Sequence, residues 1–388
     1  MGPWHKAWPR RRDDLFVASA FLLLVLIAPA YANSYTPADR DVVLATIAPV
    51  AHEQRERIAS LRSELERDTG RADIAVSLVR LYQDIYSQSG DPRYIGYAES
   101  AVAKVSQPHP VDLRLQSARL LQARHDFQGA RRLLDEVVAT DPTNAEAWSL
   151  LTSLAVLRGD YATARNACAR MALLGYASRA IVCGTELASL HGRSAEAYEN
   201  LSNHLSKIDD PDVASWAHQV AADIALRLDR TERAIVHGRQ SLTLKSSLYG
   251  VVRLSDFLMR DDRYEEALKL LQTQPRTDAV VLRQARANKA LGKSVNEELL
   301  AQRMTAIQRR GDTAHAREEA YYALYIADDD EMAVDAAARN WDMQREPIDA
   351  ELLLRAAARR GDAAAAAPVL TWLRGSDDQA LMRIAGDL

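Results

Sequence analysis

Between Val111 and Ser178 the apolar and polar positions repeat with a period of 34 residues. The two blocks, VDLRLQSARLLQARHDFQGARRLLDEVVATDPTN and AEAWSLLTSLAVLRGDYATARNACARMALLGYAS, align without a gap. In the second block Trp148, Leu151, Thr152 and Ala155 stand at i, i+3, i+4 and i+7 and so share one helical face. A turn at Gly159-Asp160-Tyr161 follows, and Ala164, Cys168 and Met171 then form the stripe of a second helix. The first block does the same around His125-Asp126-Phe127, with Ala130, Leu134 and Val137, and closes on Asp141-Pro142. Neither helix pair can bury its stripe alone, so the pattern predicts stacked pairs.

The small residue of the second helix carries the register onward. Ala130, Ala164, Ala197, Ala234 and Ala267 are spaced by 34, 33, 37 and 33 residues, and the last three follow turns at Gly192-Arg193-Ser194, Asp229-Arg230-Thr231 and Asp262-Arg263-Tyr264. Asp73 to Val105 has the same outline with an enlarged turn at Ser89-Gly90-Asp91-Pro92. Beyond Ala267 the repeat decays, but breaks at Gly292, Gly311-Asp312, Glu346-Pro347 and Gly361-Asp362 keep the rhythm of helix pairs. About nine antiparallel pairs are expected between residues 71 and 376, and no stretch alternates as a half-buried strand would.

This spacing resembles the tetratricopeptide repeat. Trp148, Leu151, Gly159, Tyr161 and Ala164 fit the family pattern, as do Phe127, Ala130 and Pro142, whereas Thr152 stands where the family prefers Gly and Cys168 where it prefers an aromatic. The resemblance implies an all-α fold, a right-handed solenoid with the first helix of each pair lining a concave face. The stretches GDPRYIGYA, HDFQGA and NWDMQREP look like those of exported bacterial proteins built on this repeat. The expected organisation is a signal segment over 1–32, a helical lead-in over 33–70, repeats over 71–274, and divergent helical repeats with a C-terminal cap over 275–388.

The start of the chain changes the picture of where such a solenoid works. Lys6, Arg10, Arg11 and Arg12 precede an uncharged run from Leu15 to Ala32 that ends in Ala30-Tyr31-Ala32, the outline of a secretory signal peptide cleaved after Ala32. Retention of the run as an inner-membrane anchor is the alternative. Either way the repeats face the periplasm. In that setting Cys168 and Cys183 are a pairing candidate: they flank the turn at Gly175-Tyr176 at equal distance and so stand at the same height of a hairpin. Closing that loop stabilises by ~3 kcal/mol; the alternative is two small buried side chains.

Composition narrows the chemistry. The chain is 48% hydrophobic and 26% charged with a net charge of −4, which suits a packed helical protein and argues against nucleic acid. The segment from Ala287 to Gly292-Lys293-Ser294 ends like a phosphate-binding loop but lacks the opening Gly and the preceding strand. The His residues are not spaced as metal ligands and read as solvated surface groups, and no G-x-S-x-G turn is present. The run Asp328-Asp329-Asp330-Glu331 lacks the spacing of a calcium loop and reads as a helix cap. No metal, cofactor or catalytic residue is therefore expected.

Function is then expected from contact. By the resemblance, the second, fifth, ninth, twelfth and thirteenth positions of each first helix face the groove. Those positions include Trp216, Gln219, Asp223 and Arg227 in one unit and Tyr249, Val252, Asp256 and Arg260 in the next, with Arg179 and Glu186 extending the strip. A ring beside an Asp and an Arg suits an extended peptide or a partner helix. Asp223 with Arg227 and Asp256 with Arg260 also read as ordinary i, i+4 surface pairs worth ~0.2–0.5 kcal/mol. The Lys and Asn by which some family members grip a chaperone's acidic C-terminus are missing at Leu115, Arg119, Ser149 and Ser153. The expected function is a non-enzymatic, exported scaffold for a protein or peptide partner. An anchored assembly factor for an envelope complex and an enzyme in the C-terminal pairs are the alternatives.

Overall fold

A computed structural model describes residues 50–309 and 315–388. After α1 (His52–Arg67), helices follow in pairs: α2 (Ala72–Ser89) with α3 (Arg93–Ala103), α4 (Val111–Ala123) with α5 (Phe127–Thr140), and α6 (Ala145–Leu157) with α7 (Tyr161–Leu173). Next come α8 (Ala177–Leu190) with α9 (Ser194–Ser202), α10 (Pro211–Arg227) with α11 (Thr231–Leu244), and α12 (Leu248–Arg260) with α13 (Tyr264–Leu271). The last three pairs are α14 (Asp278–Ala290) with α15 (Glu297–Arg309), α16 (Ala316–Tyr322) with α17 (Asp330–Met343), and α18 (Pro347–Arg360) with α19 (Ala363–Trp372). A π-helical turn, Ala323–Ala327, prolongs α16, and α20 (Gln379–Ala385) ends the chain. The fold is thus an all-helical solenoid of nine pairs, and the described residues contain no strand. The signal-segment residues Ala30 and Ala32, and the break at Gly311-Asp312, lie outside the described residues. No described helix is long and apolar enough to cross a membrane.

One backbone feature recurs in every pair. A residue with positive φ separates its two helices: Gly90, His125, Gly159, Gly192, Asp229, Asp262, Gly292, Asp328 and Gly361. The αL conformation ends the first helix, and the next residue often caps the second. Asp126, Asp160, Asp329 and Asp362 each accept a hydrogen bond from a backbone N–H of the helix they start. Five residues after the turn stand Ala130, Ala164, Ala197, Ala234 and Ala267, all at most 2% exposed, where the two helices approach closely. Ala333 and Ala366 stand at the same offset and are equally buried. The repeat therefore continues to the end of the solenoid, further than the alanine register could be followed in the sequence. It is interrupted at α15, which begins where the alanine is due.

Packing differs along the axis. The cores of α4 to α13 divide into small clusters shared by neighbouring pairs, such as Leu115, Phe127, Leu134 and Leu151, or Ala164, Met171 and Leu187. From Val281 to Ile384 a single cluster runs through α14 to α20, centred on Tyr321, Leu353 and Leu354. Cys168 on α7 and Cys183 on α8 are bonded, with Cα atoms 6.0 Å apart.

The C-terminal pairs also touch the middle of the solenoid. Arg345 N–H donates to the Leu157 carbonyl at 2.8 Å, and Trp372 Nε1–H donates to the Tyr161 hydroxyl at 2.6 Å. Asp377 accepts from Ser194 N–H at 2.8 Å and from its hydroxyl at 2.5 Å. Arg383 bonds Asp229, and Arg260 bonds Glu351. These contacts run along the turns of successive pairs. Gly192 fits because a Cβ there would lie 2.5 Å from the Gly375 carbonyl oxygen.

Candidate functional site

The first helices converge on a cavity of about 330 Å³. Gln122 comes from α4, Ser153 and Leu157 from α6, and Glu186 and Leu190 from α8. Helix α10 adds Trp216, Gln219, Asp223 and Arg227, and α12 adds Tyr249, Arg253 and Phe257. Each helix contributes residues a turn apart, because only one stripe of a first helix faces the axis. Arg345, Glu346 and Pro347, in the connection from α17 to α18, cover the cavity from the other side. A second cavity of about 230 Å³ shares Asp223, Arg227, Arg253, Phe257 and Pro347 with it and reaches Asp256, Arg260 and Arg286.

Most charges around the cavity are already matched. Arg253 pairs with Asp223 at 2.6 Å, and although burial works against its charge, Asp223 and Tyr249 raise its pKa. Arg317 bonds Glu346, which also accepts from the Tyr249 hydroxyl at 3.2 Å. Burial works against ionisation of Glu346, but Arg317 and Arg253 outweigh it and hold the carboxyl below its ordinary range. Arg227, only 4% exposed, donates to the Ser189 hydroxyl at 2.7 Å and faces Asp378 at 3.9 Å. The Arg345 guanidinium lies over the Trp341 ring.

Glu186 is the exception. Its carboxylate makes no hydrogen bond or ion pair among the described residues. Burial raises its pKa to about 7; Arg227 opposes this, while Asp223 and Glu346 add to it. Tyr249 is 44% exposed by surface area but lines the same cavity, and burial beside Glu346 pushes its pKa well above 10.0. The two descriptions are compatible, because the cavity admits water while protein surrounds it.

The strip read from the sequence is brought together only in part. Trp216, Gln219, Asp223, Arg227 and Tyr249 line the larger cavity, and Asp256 and Arg260 line the smaller. Val252 lines neither; it packs in the core with Val251, Leu271 and Val280. Neighbouring Arg253 faces the axis instead, a shift of one residue from the family position rule. The i, i+4 pairs are replaced by partners on other helices. Asp256 is gripped by Arg283 at 2.9 and 2.8 Å, and Arg260 turns to Glu351. A fork-shaped guanidinium on a facing helix reaches both carboxylate oxygens. Nor is the groove open, since the chain's own residues 345–347 cover this part of it. Sequence reading missed Arg253, Arg345 and Glu346; the break at Glu346-Pro347 was visible, but its return to Leu157 had no local signal.

The reading of the histidines as solvated also needs correction at one place. His237 on α11 lies 3.0 Å from the Tyr198 hydroxyl and 3.0 Å from His218 on α10, and burial, then His218 and Arg233, lower its pKa to about 4. The Gly292-Lys293-Ser294 segment follows the end of α14 and is a turn between helices. No group of three or more His, Cys, Asp or Glu suited to a metal occurs among the described residues.

Nine stacked pairs among the described residues, with first helices α4, α6, α8, α10 and α12 around an axial cavity, define an α-solenoid repeat protein. The tetratricopeptide repeat matches residues 97–154 and 121–178, so this stretch of the chain carries tetratricopeptide repeats. No curated protein matches it. Among solved structures, it is similar to a Rap protein complexed with competence and sporulation factor, at 10% identity and a TM-score of 0.50, covering 87% of this chain and 98% of that one. The human IFIT1 dimer with m7Gppp-AAAA is 12% identical with a TM-score of 0.47, covering 86% and 87%. The APC/C hetero-tetramer Cut9-Hcn1 is 14% identical with a TM-score of 0.41, covering 78% of this chain and 52% of the matched chain. At these identities the likeness is one of fold.

Proposed function

We propose that this protein is a non-enzymatic interaction scaffold that binds an extended peptide segment of a partner on its concave face, with a side chain of that segment entering the cavity. The observation that carries this reading is the cavity itself: it is built mainly by the first helices, walled by Trp216, Tyr249 and Phe257, and holds a carboxylate at Glu186 without a hydrogen-bond or ion-pair partner among the described residues. An apolar wall with few polar groups is what small ligand sites have in common. The similar Rap structure is itself a complex with a factor. The scaffold works in the periplasm after cleavage behind Ala32, a reading supported by the basic start, the apolar run and Ala30-Tyr31-Ala32.

Two experiments test these parts separately. Selection from a peptide display library on the mature chain is expected to enrich a common sequence, and Trp216→Ala is expected to lose it. If no sequence is enriched, or if Trp216→Ala retains it, the cavity is not the binding site. Mass measurement of the protein from the periplasmic fraction is expected to give a chain starting at Asn33. An intact N-terminus in the membrane fraction would instead favour the anchored assembly factor.

A further inference from the structure

We propose that the cavity recognises a cationic side chain, Lys or Arg, of the bound peptide, and that it seats this group on the Glu186 carboxylate against the Trp216 ring. This rests on the reading that the concave face binds a peptide. Three observations converge on it. First, Glu186 is the cavity carboxylate without a partner: Asp223 is taken by Arg253, and Glu346 by Arg317 and the Tyr249 hydroxyl. Second, the cationic groups that share the wall are occupied elsewhere. Arg227 is held by Ser189 and faces Asp378, Arg253 is held by Asp223, and Arg345 lies over Trp341. A ligand cation therefore meets a carboxylate with no hydrogen-bond or ion-pair partner among the described residues, whose charge only Arg227 favours. Third, Trp216 lines the same cavity, and a Trp face is the most favourable aromatic surface for a cation.

The electrostatics of the empty cavity agree with this geometry. Burial, Asp223 and Glu346 all disfavour a charged Glu186, and only Arg227 favours it. An entering cation reverses that balance and drives the carboxyl to ionise, so binding releases a proton near neutral pH. The ionisable groups around Glu186 are Tyr161 of α7, Asp223 and Arg227 of α10, Tyr249 and Arg253 of α12, and Arg345 and Glu346 of the connection. No histidine lines the cavity. The pKa of Glu186 falls near 7, so the pH dependence of binding near neutrality reports on it.

The test uses the mature chain and two capped pentapeptides, acetyl-Ala-Ala-Lys-Ala-Ala-amide and its norleucine analogue, in titration calorimetry with buffers of different ionisation enthalpy. The Lys peptide is expected to bind at least about 10-fold more tightly, with about half a proton released at pH 7. Its affinity should rise up to about 10-fold from pH 6 to pH 8 as Glu186 ionises. In Glu186→Gln the preference and the proton release are both expected to vanish. Equal binding of the two peptides, a preference that survives in Glu186→Gln, or no binding of the Lys peptide would each overturn the proposal. The wild-type pH profile decides the matter even if the variant misfolds. Trp216-dependent binding of displayed peptides that is indifferent to Lys would overturn this inference and leave the scaffold reading standing.

Discussion

The stretch from α4 to α13 and the stretch from α14 to α20 are made of the same helix pairs but solve different packing problems. In the first, each pair buries its stripe against its immediate neighbours, so small cores succeed one another. In the second, one core spans all the pairs, and residues from 345 to 383 must also fit the turns of α6 to α11. The regular pairs therefore need only local contacts, whereas the C-terminal pairs add long-range ones, such as Trp372 to Tyr161 and Asp377 to Ser194.

The comparison breaks most readily at Asp349. It is fully buried and accepts from Arg317 at 2.7 and 2.9 Å, from Asn340 at 2.7 Å and from Glu346 N–H at 2.9 Å. Asp349→Ala leaves the Arg317 guanidinium without this partner and is expected to cost about 3–5 kcal/mol in chemical denaturation. The matching probe in the regular repeats is the bond between Cys168 and Cys183. Its removal by the paired Cys→Ala substitution releases a loop of 15 residues and is expected to cost about 3 kcal/mol. A loss well below 1 kcal/mol would show that stacking alone holds that hairpin.

Glu186 lies between the two regimes, on a regular repeat but under the cover of residues 345–347. Its folded pKa of about 7 lies above the ordinary 4.5, so the native state binds more protons in that window and loses stability as pH rises through it. Relative to wild type, Glu186→Gln is expected to gain about 3 kcal/mol by pH 8 and almost nothing at pH 4. A pH-independent difference would remove Glu186 from the buried cavity. The smallest effect belongs to Trp372→Phe, which deletes a single bond across the closure and is expected to cost about 1 kcal/mol in the same denaturation experiment.

The regular region was legible because its signals are local. Period, turn and small residue all lie within one block, and Ala130 to Ala267 mark it correctly. Ala333 and Ala366 keep the same offset but were hidden by α15, which starts at Glu297 where the alanine is due and so breaks the spacing. The strip was placed well on α10, where the family rule and the helix agree, and one residue off on α12, where Arg253 rather than Val252 faces the axis. The pairings of Arg260 with Glu351 and of Tyr249 with Glu346 bridge about ninety residues, and no periodicity encodes them.

The C-terminal pairs close onto the middle of the solenoid and complete its cavity. Hydrogen exchange of the Asp377→Ala variant read by mass spectrometry tests this most directly, because Asp377 bonds Ser194 from the far side of that closure. The account predicts faster exchange in α20 and, together with it, in the turns around Gly159, Gly192 and Asp229, with α4 and α5 unchanged. Faster exchange confined to residues after Leu373, with those turns as protected as in wild type, would contradict it.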